Sequence, residues 1–234
     1  MNRALRSQYL AALGLESWTL RRNAVAGVST LPQTVPVPLD LPARPVSDLG
    51  WAELRAAVAG CMRCPLSATR TQTVFGVGSV EATWLIVGEA PGAEEDRQGE
   101  PFVGRAGQLL NAMLRAIGLQ REQVFIANVL KCRPPRNRDP APLEAAQCLP
   151  YLERQIALLK PRIMLAVGRI SAQNLLKTDL SLGRLRGQVH HFGVSQVPLV
   201  VTYHPAYLLR EPAEKRKAWE DLQFAREVYS GVQR

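Results

Sequence analysis

The chain has 234 residues, of which 47% are hydrophobic and 21% charged, so it is not wholly disordered and has enough apolar residues for a full core. Its longest apolar runs are about five residues, whereas a membrane span needs roughly 20, and no signal-peptide pattern opens the chain; we predict a cytoplasmic protein that does not enter a membrane. The net charge is +9, and residues 1–50 hold only five of the 29 basic and three of the 20 acidic residues, so the excess belongs to the folded part and favours a polyanionic partner.

Residues 1–46 differ in pattern from the rest of the chain. Residues 3–22 have a helical periodicity, and five prolines follow them without any regular spacing. Because proline fixes φ and removes a backbone donor, we predict a flexible N-terminal extension with a proline-rich linker. The alternative is a short docking motif for a protein partner, built on Leu13, Leu15 and Trp18.

Residues 47–234 are predicted to form a single α/β domain. The predicted strands are the apolar, β-rich runs at 83–87, 124–127, 163–167 and 199–202. The predicted helices are one capped by Ser47 or Asp48 that ends near Ala59, and those at 105–117, 142–159, 171–177 and 212–229. Apolar strands separated by helices are typical of a parallel sheet covered on both faces. We therefore predict a three-layer α/β/α sandwich around a short, mostly parallel four-stranded sheet. A monomer is a separate expectation.

Polar residues follow the predicted strands. Gly88 and Glu89 come directly after the first strand, Asn128 after the second, Gly168 after the third and His204 shortly after the fourth. Ligands of open parallel sheets bind beyond the carboxyl ends of the strands. The sequence thus predicts a carboxylate, an amide and an imidazole on one rim. The structural alternatives are a tight turn at Gly88 and a histidine satisfied by its own neighbours.

The four cysteines of the chain are Cys61, Cys64, Cys132 and Cys148. Disulfides are not expected in a cytosolic protein, and the C-x2-C pair favours a metal site over four unrelated buried thiols. Four thiolates fit either zinc or an iron–sulfur cluster; spacing does not separate the two, and by itself leans slightly to zinc. Either metal would fix the loop between the third and fourth cysteines, which indicates a structural role.

The basic loop at residues 131–138 carries four cations in eight residues, namely Lys131, Arg133, Arg136 and Arg138, and no acidic residue. Such a run is ordinarily solvated surface charge. Beside a rim of polar residues fixed by a metal, it predicts contacts with phosphates, which give a salt-dependent affinity that is blind to base sequence.

The segment after His204 contains a second candidate contact with nucleic acid. Leu208 and Leu209 form an apolar tip that is followed by the cation of Arg210. An apolar side chain in such a place is typical of a wedge inserted into a base stack.

Four stretches resemble the family 4 uracil-DNA glycosylases, the iron–sulfur branch of that superfamily. They are GEAPGAEEDRQGEPFVGRAGQLL at 88–110, NVLKCRPPRNRDP at 128–140, RLRG at 184–187 and TYHPAYLLR at 202–210. The cysteine spacing also matches, and the resemblance covers roughly residues 51–230. It implies a [4Fe–4S] cluster on the four cysteines rather than zinc. It also implies single- or double-stranded DNA containing uracil as the partner, with Arg186 joining the DNA contacts.

The resemblance implies a base pocket. Asn128 would read the Watson–Crick edge of a flipped uracil, its oxygen accepting from N3–H and its NH2 donating to O4, so that cytosine is rejected. Phe102 would stack on the pyrimidine, and the backbone from Gly88 to Ala90 would wrap it. Glu95 would border the C5 side and help to exclude the thymine methyl group.

The resemblance also implies catalytic roles. His204 would donate a hydrogen bond to uracil O2 as charge collects on the departing base, and Glu89 would orient water or stabilise the sugar cation. The chain is therefore predicted to be a glycosylase that repairs deaminated cytosine by base excision. The alternatives are a non-catalytic iron–sulfur protein that binds nucleic acid and an iron–sulfur electron carrier, which the long-range cysteine spacing disfavours.

Overall fold

A six-stranded sheet lies at the centre of the computed structural model, which describes residues 44–232. The strands are β1 Val77–Gly78, β2 Trp84–Gly88, β3 Phe125–Asn128, β4 Ile163–Val167, β5 His190–Phe192 and β6 Val197–Thr202. Their order across the sheet is β1-β3-β2-β4-β6-β5. The four central strands are parallel, and their register pairs Gly88 with Asn128 and Val167 with Thr202, so their carboxyl ends meet at one edge.

The prediction of four strands is wrong in number, although the four central strands and the mostly parallel sheet are confirmed. The two additional strands, β1 and β5, pair antiparallel at the two edges. They are two and three residues long, too short for a period-two pattern to emerge from the sequence.

Helices cover both faces of the sheet. They are α1 Trp51–Ala59, α2 Ala93–Gln98, α3 Arg105–Ala116, α4 Pro142–Leu159, α5 Arg169–Leu176, α6 Leu182–Leu185, α7 Pro205–Arg210 and α8 Lys215–Val232. Alternate residues of β2 enter opposite cores, because Leu85 and Val87 pack with α1, α4 and α5, whereas Trp84 and Ile86 pack with α3 and α8. The predicted α/β/α sandwich is therefore confirmed.

Two predicted helix boundaries are wrong. The helix α1 begins after Gly50, while Ser47 and Asp48 lie in a separate 3-10 turn, Val46–Asp48. The predicted helix at 212–229 is a 3-10 turn, Pro212–Glu214, followed by α8. The short helices α2, α6 and α7 were not predicted, because four to six residues do not show a helical period.

The predictions for the N-terminal extension, including the motif at Leu13, Leu15 and Trp18, fall on residues 1–43 and lie outside the described residues. From residue 44 onward the chain forms one compact unit. None of the helices within 44–232 is both long enough and apolar enough to cross a membrane.

Candidate active site

A cavity of about 410 Å³ opens at the carboxyl ends of the central strands. Glu89 enters it from the end of β2, Asn128 from the end of β3 and His204 from the turn after β6. The structure thus brings together the carboxylate, amide and imidazole that the strand ends pointed to. Gly168, after β4, leaves room for His204, because a Cβ at this position would lie 2.9 Å from the Cβ of His204. Its φ of +100° is also one that residues with a side chain rarely adopt.

Asn128 is the most buried polar side chain of the cavity. It is 2% exposed, and its Oδ1 is buried without any hydrogen-bond partner among the described residues. An acceptor left unsatisfied in this way costs about 1–3 kcal/mol. A cost of that kind at a cavity wall is typical of a group reserved for a donor on a ligand.

Phe102 forms the wall next to this amide. It is 5% exposed, and its ring lies 5.5 Å from the His204 ring, with an angle of 31° between the planes. Gly88 permits the arrangement, because a Cβ at this position would lie 2.3 Å from Asn128 Oδ1 and 2.6 Å from Phe102 Cζ. The glycine at the end of β2 is therefore required by the packing of an aromatic ring against the amide.

His204 is held as a neutral imidazole of one tautomer. Its Nδ1 accepts a hydrogen bond from the backbone N–H of Ala206 at 3.1 Å, the N-cap contact of α7. Burial, assisted by the charge of Arg210, lowers the pKa of the imidazole to about 4. Because Nδ1 is an acceptor, the proton of the neutral ring is on Nε2, which makes Nε2 a donor.

Glu89 has an environment that disfavours its charge. Burial and the nearby Asp139 raise its pKa to about 7, and Arg169 opposes them only in part. Asp139 lines the same cavity and is paired with Arg169 at 2.7 Å. A carboxyl group whose pKa is near neutrality exchanges protons readily, as general catalysis requires.

Glu95 lines the cavity, but its carboxylate is occupied by the backbone. Oε2 accepts from the N–H of Gly92, and Oε1 accepts from those of Val103 and Gly104 at 3.0 and 3.2 Å. These bonds join the first turn of α2 to the loop of Phe102. Ala90 lies on the cavity wall between Glu89 and the Gly92 turn.

Lys131 does not face solvent, which contradicts its prediction as a phosphate contact. It is 1% exposed, and its Nζ donates to the backbone oxygen of Asn128 at 2.9 Å and to Gln155 Oε1 at 2.6 Å. The long aliphatic stem allows the ammonium to turn inward, where it satisfies two buried acceptors. A run of cations in the sequence does not reveal which of them turns in.

The arginines of the same loop differ in how exposed their guanidinium groups are and in the bonds that these groups already make. Arg136 is exposed, with a left-handed φ of 56°, whereas the guanidinium of Arg133 donates to Asn137 Oδ1 at 2.7 Å. Arg138 lines the cavity and forms a two-bond pair with Glu144 that leaves its side chain 45% exposed. Arg186 is largely buried against Asp221, with N–O distances of 2.7 and 2.9 Å, and stacks on the ring of Tyr203.

Leu208 is 1% exposed and belongs to the core beneath α7, so the prediction that it is an exposed wedge is wrong. The turn of α7 directs Leu208 inward and leaves its neighbour Leu209 36% exposed. Arg210 ends α7, is exposed and lines the cavity. The apolar side chain that this tip presents is therefore Leu209.

The four cysteines border one small cavity lined mainly by apolar groups. Cys61 and Cys64 follow α1, Cys132 follows β3, and Cys148 lies in α4. Arg70 Nη1 donates to Cys132 Sγ at 3.1 Å, and the N–H of Lys131 donates to Cys148 Sγ at 3.2 Å. Over the described part of the chain, no three side chains of Cys, His, Asp or Glu converge on the position of a single metal ion.

Three residues near the cavity were not singled out from the sequence. Asp139 and Tyr207 line it, and Arg121 contacts the loop of Phe102 from behind. Asp139 was detectable in principle, because it directly follows the basic loop at residues 131–138. Nothing in the local sequence marks Arg121, since its contacts are with residues that lie ten to twenty positions earlier.

The fold and the cavity define an α/β protein with a polar pocket at the carboxyl ends of its parallel strands, and the sequence comparison gives this class a name. The family model of the uracil DNA glycosylase superfamily matches residues 75–223. The match includes Glu89, Phe102, Asn128 and His204.

Individual relatives narrow the class. A type-4 uracil-DNA glycosylase of Pyrobaculum aerophilum is 46% identical over 176 residues, which are 73% of this chain and 90% of the relative. Type-4 enzymes of Archaeoglobus fulgidus and Thermotoga maritima are 44% and 41% identical; the alignments cover 70% and 72% of this chain, and 86% and 89% of the relatives. The chain belongs to the type-4 uracil-DNA glycosylase family.

Proposed function

We propose that this chain removes uracil from DNA by hydrolysing its N-glycosidic bond, leaving an abasic site for base excision repair. The observation that carries the proposal is the buried, unpartnered Oδ1 of Asn128 at the wall of a cavity that also holds a neutral His204. The type-4 relatives are named for the same reaction.

Base recognition rests on Asn128 and Phe102. The orphan Oδ1 accepts from N3–H of a flipped uracil, while the amide NH2 donates to O4. Cytosine presents an acceptor at N3 and a donor at C4, so it would leave both groups of the amide unpaired. The Phe102 ring stacks on the pyrimidine, and the backbone from Gly88 to Ala90 encloses its edge.

His204 stabilises the leaving group. When the C1′–N1 bond breaks, its electron pair goes to the base, and the negative charge is shared with O2. The Nε2–H of the neutral imidazole donates to that oxygen, a contact that strengthens as the charge develops. Donors of this kind contribute a factor of about 10²–10³ in rate.

Glu89 acts on the sugar side. Loss of the base leaves an oxocarbenium-like cation, and a water molecule adds to C1′ and gives up one proton. The ionised carboxylate of Glu89 orients this water and stabilises the cation, and it accepts the proton when it acts as the base. Asp139, which raises the pKa of Glu89, contributes a second negative charge at the same wall.

Glu95 shapes the cavity wall that borders the C5 side of the base. Its carboxylate fixes this wall by accepting hydrogen bonds from Gly92, Val103 and Gly104. The fixed wall disfavours the methyl group that thymine carries at C5.

DNA contacts involve exposed groups near the mouth of the cavity. Arg136, Arg138 and Arg210 contact phosphates, with Arg133 supporting the loop, and Leu209 fills the space left by the flipped base. Arg186 supports the Tyr203–His204 turn from the side, through its stack on Tyr203.

A [4Fe–4S] cluster is the group that best fits the four cysteines. Their thiols border a single cavity without converging on one point, which suits a multi-iron cluster better than a single zinc ion. Arg70 and the N–H of Lys131 donate to two of the sulfurs, and donors of this kind stabilise thiolates. The cluster would supply cross-linking rather than redox chemistry, because the proposed hydrolysis transfers no electrons.

The test of this function is excision from a labelled oligonucleotide with one uracil, with thymine and cytosine strands as controls and alkaline cleavage to reveal abasic sites. Asn128→Ala removes both base-reading groups and is expected to lower excision by roughly 10²-fold or more while duplex binding is kept. The matched control is Asn174→Ala, which alters an amide bonded to its own helix. Wild-type protein that binds DNA but leaves uracil intact would point to a non-catalytic binding protein instead.

A further inference from the structure

Phe102 has a backbone conformation that a residue with a side chain rarely adopts. Its φ is +54°, in the left-handed region, and its carbonyl is pressed against α3. A Cβ at Gly107 would lie 1.8 Å from the oxygen of Phe102. Such a conformation persists only where the surrounding structure holds it in place.

Arg121 holds this segment from behind the cavity wall. Its Nη2 donates to the carbonyl oxygen of Pro101 at 2.5 Å, and its Nη1 donates to that of Phe102 at 3.3 Å and to Asn111 Oδ1 at 3.1 Å. None of the ion pairs found between residues 44 and 232 includes Arg121. The planar guanidinium thus binds two successive carbonyls, a geometry that the single ammonium of lysine does not reproduce.

Glu95 holds the opposite side of the same residue. It accepts from the N–H groups of Val103 and Gly104, which follow Phe102 directly. The strained residue is therefore fixed by a cation on its own carbonyl and on that of Pro101, and by a carboxylate on the two amides that follow it. Between these two groups, the ring packs against Asn128 and His204.

We infer that Arg121 is a positioning residue for base recognition: it fixes the Phe102 ring as a wall of the cavity without itself lining the cavity. The inference rests on the proposed function, since the purpose of that wall is to stack on uracil. It assigns a role in substrate binding to a side chain that lies outside the four stretches that carry the family resemblance.

The test compares Arg121→Met and Arg121→Lys with Arg115→Met, a change to an exposed arginine in the last turn of α3. Each is made in the wild-type chain and in Phe102→Ala. The measurements are the Kd for free uracil, single-turnover excision, binding of a uracil-free duplex and the Tm. Arg121→Met is expected to weaken uracil binding about tenfold and to slow excision at least as much, because a misplaced ring loses its stacking. Arg121→Lys should fall in between, and duplex binding and Arg115→Met should stay within about twofold of wild type.

The double-mutant comparison decides whether Arg121 acts through Phe102. If it does, Arg121→Met adds less than about twofold in the Phe102→Ala background, because the ring that it positions is already gone. The role would be overturned by an equal loss in both backgrounds, or by unchanged uracil binding in Arg121→Met. If Arg121→Met does not fold, Asn111→Ala, which removes one anchor of the guanidinium, replaces it with the same expectations. A wild-type chain that neither binds nor excises uracil would refute the proposed function, whereas normal excision by Arg121→Met would refute the positioning role alone.

Discussion

Burial raises the pKa of Glu89 and lowers the pKa of His204, and each of these shifts favours the neutral form of its side chain. The imidazole, with a pKa near 4, stays neutral over the whole physiological range, so it contributes no titration there. The carboxyl group, with a pKa near 7, changes its charge within that range. The pH dependence of the reaction should therefore follow Glu89.

We predict that single-turnover excision rises with pH through about 7, because the reaction uses the ionised carboxylate of Glu89. Glu89→Gln should be slower by roughly tenfold or more and lack this rise. A pH–rate profile of the two proteins measures this, with His191→Gln, an exposed histidine, as the control. An identical rise in Glu89→Gln would contradict the assignment.

The raised pKa of Glu89 also affects the stability of the fold. The folded pKa of Glu89 is raised, so its stabilising contribution is present below the unfolded pKa, near 4.5, and is lost as the pH rises through about 7. Glu89→Gln avoids the loss. We expect its Tm to exceed that of wild type by roughly a few degrees at pH 8 and by less at pH 5, in thermal unfolding monitored by circular dichroism. A constant difference at both pH values would contradict the linkage.

At the level of single residues, the sequence was informative where a side chain follows a strand. Glu89, Asn128 and His204 come together because the carboxyl ends of parallel strands share one edge. The sequence did not show which way a side chain points where tertiary contacts decide this. Lys131 turns inward to Gln155, and α7 buries Leu208 while Leu209 stays partly exposed.

At the level of elements, the helix α3 carries a constraint that its amphipathic pattern does not show. Gly107, in its first turns, has no conformational need for glycine, but the carbonyl of Phe102 occupies the place of a Cβ. This contact joins the helix to the cavity wall that Phe102 forms. Sequence patterns predicted α3 and its boundaries well, yet they carry no information on so close an approach between segments.

We predict that Gly107→Ala displaces the loop of Phe102 and lowers excision by roughly tenfold or more, because backbone atoms at 1.8 Å must move. The control is Gly183→Ala in α6, where a Cβ meets open space. Excision assays and the Tm report on the two variants. Wild-type excision by Gly107→Ala would show that the wall tolerates displacement.

At the level of the whole molecule, the four cysteines come from parts of the chain that are far apart in sequence. They bring the end of α1, the loop after β3 and the middle of α4 to one cavity. Their spacing indicated a metal site, but the choice between zinc and a cluster needed the family resemblance. The monomeric state, the cytoplasmic location and the role of the N-terminal extension remain predictions.

We predict that purified protein contains iron and acid-labile sulfide in equal amounts and little zinc, and that Cys148→Ser loses iron and lowers the Tm, because α4 is then released from the loop after β3. Metal analysis, visible absorbance and thermal unfolding measure this. Ser171→Ala, which removes a buried hydroxyl that is bonded to Val87 and does not line the cysteine cavity, is the control. Full iron content and an unchanged Tm in Cys148→Ser would contradict the structural role.

The stretch from Asn128 to Cys132 joins the amide that we propose reads the base to a cysteine that we propose holds the cluster, through only three intervening residues. Each of the three is fixed: Val129 donates to the Gly88 carbonyl, Leu130 to that of Glu89, and Lys131 to Cys148 Sγ. An insertion or deletion of one residue would therefore displace either the amide or the thiol, because the backbone N–H of each intervening residue is already bonded. During evolution, the length of this segment should be less free to change than the identity of its apolar residues.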